Sequence, residues 1–140
     1  SASGLLTESK LAPELMSEAY YYRAKALLKA KKWDEAAADL RVLAKDTRNV
    51  YGAEAKYLLA QLYFDLGETQ KAEKEVLDYI EVSTPHAYWL ARSFVLLADV
   101  YMKLGRNLDA KQYLLSLKQN YHADDDIANM IETRLAKLKK

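Results

Sequence analysis

An all-α solenoid of three helix pairs, closed by a seventh helix, is the fold this sequence predicts, and three observations predict it. Helix breakers are scarce: four Gly and two Pro in 140 residues leave little room for a strand-and-turn protein. Apolar residues recur at three- and four-residue steps, the spacing of one helix face. Four columns of residues also repeat in register. Ala24, Ala60 and Ala98 are followed three positions on by Leu27, Tyr63 and Tyr101. Nine positions further stand Ala36, Ala72 and Ala110, and four after those Leu40, Val76 and Leu114. The interval is 36 residues between the first two copies and 38 between the next two. Self-similarity at such a period marks a stack of supersecondary units.

Helices are expected over 13–30, 33–46, 50–66, 69–83, 85–104, 107–121 and 124–138. The first pair (13–46) carries the columns as Ala24 and Leu27, then Ala36 and Leu40, but has Lys31 at its turn. In the second pair (50–83), Tyr51, Ala55, Leu58, Leu59, Leu62, Tyr63 and Leu66 make one apolar face. Ala72, Val76, Tyr79 and Ile80 make the other, with Gly67 between them as the left-handed residue past a helix end. The third pair (85–121) has Gly105 at its turn and Ala110, Tyr113, Leu114 and Leu117 on its second helix. Thr84 before Pro85 predicts a cap followed by a proline in the first turn, where its missing N–H costs nothing. The alanine columns mark places where two helix backbones come close.

The closing helix opens on Asp124, Asp125 and Asp126 and carries Ile127, Met130, Ile131, Leu135 and Leu138 as one apolar stripe. A stack needs such a cap, because its last unit otherwise leaves an apolar face in water. The front end has no comparable cap. Leu5, Leu6 and Leu11 are expected either to cover the first helix pair or, the reading favoured, to be the remnant of an earlier repeat, and Ser1 to Gly4 reads as a tag scar or the trimmed start of a longer protein.

In this small-large-Gly-small order the chain resembles the tetratricopeptide repeat family over roughly residues 13 to 121. The family's unit is a helix–turn–helix of about 34 residues. The resemblance implies a right-handed α–α superhelix that acts as a binding scaffold. The sequence departs from the pattern at Lys31 (Gly67 and Gly105 elsewhere), at Arg23 (Leu59 and Leu97 elsewhere), and in lacking proline at Arg48, Thr84 and His122. The longer, tyrosine-rich repeats are similar to those of bacterial cell-envelope proteins of the TolA-binding and outer-membrane-assembly type. That similarity implies a periplasmic or cell-envelope setting.

The same resemblance places a peptide groove on the first helices of the pairs. Its positions hold Tyr21, Lys25 and Leu28 in the first pair, Tyr57, Gln61 and Phe64 in the second, and Val95, Asp99 and Met102 in the third. Glu18, Glu54 and Arg92 stand near the helix starts. This implies an aromatic-aliphatic row, a polar row and an apolar row, with aromatic anchors carrying affinity. The family's clamp for acidic chaperone tails is not expected, since Tyr21, Tyr57 and Gln61 occupy its basic and amide positions.

Chemistry is otherwise sparse. With 21 basic against 20 acidic residues, no strong field draws the protein to nucleic acid or anionic lipid. No apolar run approaches the roughly 20 residues that span a bilayer, and the absence of cysteine excludes disulfides and thiolate sites. His86 and His122 lack a second ligand at metal-binding spacing, and Asp124–Asp126 lack the alternation of a calcium loop. No phosphate loop or nucleophile motif is present. The expected function is therefore a non-enzymatic scaffold without a cofactor that binds a protein or peptide, with self-assembly or a regulatory role in a larger protein as alternatives.

Overall fold

The computed structural model describes residues 12–82 and 84–139. Among them are seven helices: α1 (Ala12–Lys29), α2 (Trp33–Leu43), α3 (Val50–Asp65), α4 (Thr69–Glu81), α5 (Ala87–Lys103), α6 (Asn107–Asn120) and α7 (Ile127–Leu138). No strand occurs among the described residues. α1 pairs with α2, α3 with α4 and α5 with α6, and each pair packs on the next through α2–α3 and α4–α5. The first helices also touch in order, α1 to α3 to α5. α7 lies against both α6 and α5, where the first helix of a further pair would sit. This is a helical-repeat solenoid, and the sequence reading of an all-α stack is correct.

The alanine columns explain the close packing. Ala24, Ala36, Ala60, Ala72, Ala98 and Ala110 are all buried; at these crossings a larger side chain would force the backbones apart. Leu40, Val76 and Leu114 are buried in the neighbouring column. Ile127, Ile131 and Leu135 of α7 join the core cluster that contains Val95, Ala98 and Leu114, so the stripe on the last helix covers the end of the stack.

The three turns share one geometry. Gly67 and Gly105 have φ of 82° and 78°, and Lys31 has φ of 63°. In each, the following amide reaches back five residues: Lys32 N–H donates to the Leu27 carbonyl (2.9 Å), Glu68 to Tyr63 (2.8 Å) and Arg106 to Tyr101 (2.7 Å). That is the Schellman closure. Lysine pays a Cβ penalty there that glycine avoids. Lys31→Gly is expected to stabilise the protein by about 1 kcal/mol, read as a higher urea midpoint at unchanged slope; an unchanged or lower midpoint would show that Lys31 carries no strain.

α2 and α4 stop at Leu43 and Glu81, short of the expected 46 and 83, and two helix starts differ from expectation for identifiable reasons. α5 begins at Ala87, with His86 rather than Thr84 at the cap position. The Thr84 hydroxyl is used instead to join two connections: it donates to the Thr47 carbonyl (2.6 Å) and accepts from the His86 N–H (3.1 Å). His86 Nε2 donates to the Arg48 carbonyl at 2.9 Å, so Pro85 sits in a bend outside the helix. α7 begins at Ile127, leaving the three aspartates just before it, where Asp125 accepts from the Ile127 N–H at 2.9 Å. The Arg23 departure also has a partner. Its guanidinium makes two 2.7 Å bonds to the buried Asp39 of α2. The expectations for Leu5, Leu6 and Leu11 lie outside the described residues.

Candidate functional site: the face of the first helices

All twelve expected groove residues fall on α1, α3 and α5, and polar contacts link eight of them in three groups. At the α1–α3 junction, the Tyr51 hydroxyl donates to Glu18 (3.3 Å) and the Tyr21 hydroxyl to Glu54 (3.0 Å). Lys25 Nζ is 3.4 Å from the same Glu54. Burial, then the Glu54 carboxylate, pushes the Tyr21 phenol up to about 12, so this hydroxyl stays a donor across the physiological range.

At the α3–α5 junction Arg92 donates to the hydroxyls of Tyr88 (2.9 Å) and Tyr57 (3.0 Å). Tyr57 donates in turn to Gln61 (2.9 Å), and Gln61 to Asp65 (2.8 Å). The Arg92 guanidinium lies 4.9 Å from the Tyr57 ring centre, 5.8 Å from that of Tyr88 and 6.0 Å from that of Trp89, within cation–π range. Burial raises the Tyr57 phenol pKa although Arg92 pulls against it. Tyr88 donates onward to Asp126 at 2.9 Å.

At the α5–α7 junction Arg134 grips Asp99 with two bonds of 2.8 and 3.0 Å. A cleft of about 110 Å³ remains where Gln61, Arg92 and Asp99 meet Met130 and Arg134. A second, mostly apolar cavity of about 280 Å³ lies between α1 and α3, with Leu28, Trp33, Leu58, Leu62 and Leu66 as walls and Gln61 and Asp65 at its edge.

The groove residues are therefore not equally available. Tyr57 and Val95, expected as anchors in an open aromatic-aliphatic row, are 6% and 3% exposed and belong to the core. Val95 is covered because α7 folds over the third pair, and Tyr57 because Trp89 and Arg92 of α5 pack on its ring. Asp99 is held by Arg134. Phe64 and Met102 are half-buried against the core, with the Lys103 ammonium 5.3 Å from the Phe64 ring centre. Tyr21, Lys25, Leu28, Gln61 and Arg92 keep accessible surface.

Sequence reasoning missed Met130, Arg134, Tyr88 and Trp33. The first two were legible as a step of four along the edge of the α7 stripe. Trp33 gave no signal, since its column holds Thr69 and Asn107.

Among the described residues no three His, Cys, Asp or Glu side chains are grouped to hold a metal ion, and no described helix is long and apolar enough to cross a membrane. The groove offers hydrogen bonding, ion pairing and apolar contact, which are means of recognition. Tetratricopeptide repeat models match residues 18–46 in one case and residues 53–84 and 91–118 in another. No curated protein matches the chain. The matches fall on the three helix pairs read from the alanine columns and together cover more than half of the sequence, so the chain belongs to the tetratricopeptide repeat family, whose repeats serve as non-catalytic scaffolds for protein–protein interaction.

Proposed function

We propose that this chain holds a peptide segment of another protein in the groove formed by α1, α3 and α5 and closed at one end by α7. The observation that supports this most is the three groups of side-chain donors and acceptors along the face, at Tyr21 and Glu54, at Gln61 and Arg92, and at Asp99 and Arg134, beside an open apolar cavity. A few polar groups on an apolar surface are how peptide grooves obtain orientation and affinity together. The long, tyrosine-rich repeats support a place for the scaffold in a bacterial cell-envelope protein. Capture from envelope and soluble fractions, with wild type beside a Lys25→Glu/Gln61→Lys variant, tests both points. Both positions keep accessible surface, so the variant is expected to fold. A partner retained by wild type and lost by the variant supports the groove; equal retention would move the interface elsewhere.

A second reading, self-assembly, has one observation in its favour. In the second and third pairs, Ala55, Leu59, Ser93 and Leu97 are buried beneath the preceding pair. The same columns in the first pair hold Ala19 and Arg23, which are exposed, next to Met16 at 47% exposure. Another copy could cover this front. Light scattering that gives a single-chain mass at every concentration would remove this reading.

A further inference from the structure

Resting on the groove reading above, we infer that the ligand segment is an extended peptide with a large apolar side chain two residues from an acidic one. The apolar side chain fills the cavity between α1 and α3, and the carboxylate meets Arg92.

Leu28 is one of the residues that set this cavity apart from the next junction. Leu28, Phe64 and Met102 share a column. At the α3–α5 junction the larger Phe64 stands in that column and packs against the core. Where α1 meets α3, the shorter Leu28 leaves about 280 Å³ with apolar walls, and Leu66 at its lip is 42% exposed. A leucine, methionine or phenylalanine side chain supplied from outside would do at this junction what Phe64 does at the next.

The charge requirement comes from Arg92. Its guanidinium is partly buried, yet no carboxylate forms an ion pair with it among the described residues. Its two described side-chain bonds go to neutral phenols, out of five N–H donors available to a guanidinium. The nearby carboxylates are engaged elsewhere: Asp99 by Arg134, Asp126 by Tyr88 and Asp65 by Gln61. A partly desolvated guanidinium without a counter-ion is poised for a carboxylate, which it binds through a two-pronged fork.

The two features are adjacent, because Gln61 borders both the cavity and the Arg92 cleft. Arg92 reaches Tyr57 at 3.0 Å, and Tyr57 reaches Gln61 at 2.9 Å. Side chains two apart on an extended strand point the same way about 7 Å apart, which suits one residue in each site.

The test is a random-peptide phage selection on the intact chain, followed by fluorescence anisotropy with synthetic copies of the enriched peptides. Binders are expected to carry Leu, Met or Phe with a single residue between it and Asp or Glu. Leu28→Phe, which fills the cavity with the residue of the second repeat, should weaken them about tenfold. Arg92→Gln should weaken the acidic peptide by a similar factor and leave its Glu→Gln copy unchanged. Each variant is checked by thermal melting, and Leu28→Met, the residue of the third repeat, replaces Leu28→Phe if the latter does not fold. Binders that are lost on Lys25→Glu/Gln61→Lys but indifferent to the acidic residue or to cavity filling overturn this inference and leave the groove reading standing. Binders indifferent to all these variants, or a selection that yields none, overturn both.

Discussion

The Gly52→Ala variant is expected to be less stable than wild type by about 3–5 kcal/mol. Taken alone, alanine improves a helix by about 1 kcal/mol over glycine, so helix propensity has the opposite sign. Tertiary contact decides the outcome. Gly52 lies in the first turn of α3, directly beneath the connection from α2. A Cβ built there falls 1.9 Å from the Asp46 carbonyl oxygen and 2.6 Å from that of Leu43. Both are backbone atoms, which cannot rotate away as a flexible side chain could. The Asp46 carbonyl also accepts from the Asn49 N–H, and Asn49 caps α3 through its side chain. Room for a methyl group would therefore come only from shifting the turn and its cap together. Gly67 and Gly105 make the contrast, because a Cβ there meets nothing within 4 Å and only the positive φ resists substitution. Urea unfolding compares the Gly52→Ala midpoint with wild type. A neutral or stabilising result would show that the α2–α3 connection is free to move.

Gly52 also shows where sequence reading stops. Its column holds Met16 and Leu90 in the other pairs, so the glycine answers to one connection and not to the repeat. The features that recur were legible: the alanine columns, the three turns and the apolar stripe of the last helix all arise from helix–helix contacts that the stack makes three times. The left-handed turn at Lys31 could be read despite the wrong residue, because the register of its neighbours fixed the position. Features made once were not legible. Thr84 bonds the carbonyl of Thr47, and Arg134 crosses to Asp99; both contacts link residues more than thirty positions apart, and no spacing rule marks them. The groove was half legible for the same reason. Its positions on α1, α3 and α5 follow from the repeat, but their exposure depends on α7 and on packing between pairs. That is why Tyr57 and Val95 are core residues while Lys25 and Arg92 keep accessible surface.

Lys56 carries the second large effect: Lys56→Ala is expected to destabilise by about 3 kcal/mol. The residue is 7% exposed and joins α3 to α4 through ion pairs with Glu75 (2.6 Å) and Asp78. Burial lowers the Lys56 pKa, but the hydrogen bonds it donates to the two carboxylates outweigh it and the net shift is upward. Its contribution is therefore complete below the unfolded value near 10.4 and is lost as the pH rises through the folded pKa; at neutral pH it is fully expressed. Removing the lysine leaves Glu75 partly buried without its cation, and breaking a buried pair from one side is more damaging than replacing both partners. The chain already contains the replacement. Phe94 and Tyr113 occupy the columns of Lys56 and Glu75 in the third pair, with ring centres 6.1 Å apart. Lys56 and Glu75 also border a cavity of about 370 Å³ between α2 and α4, which gives two rings space, while Asp78 remains largely in solvent. Lys56→Phe with Glu75→Tyr should thus return to within about 1 kcal/mol of wild type, although each single change is destabilising. A double-mutant cycle by urea unfolding reads the difference. Additive singles would mean that the lysine and glutamate act independently, and that the contact between α3 and α4 rests on the apolar columns alone.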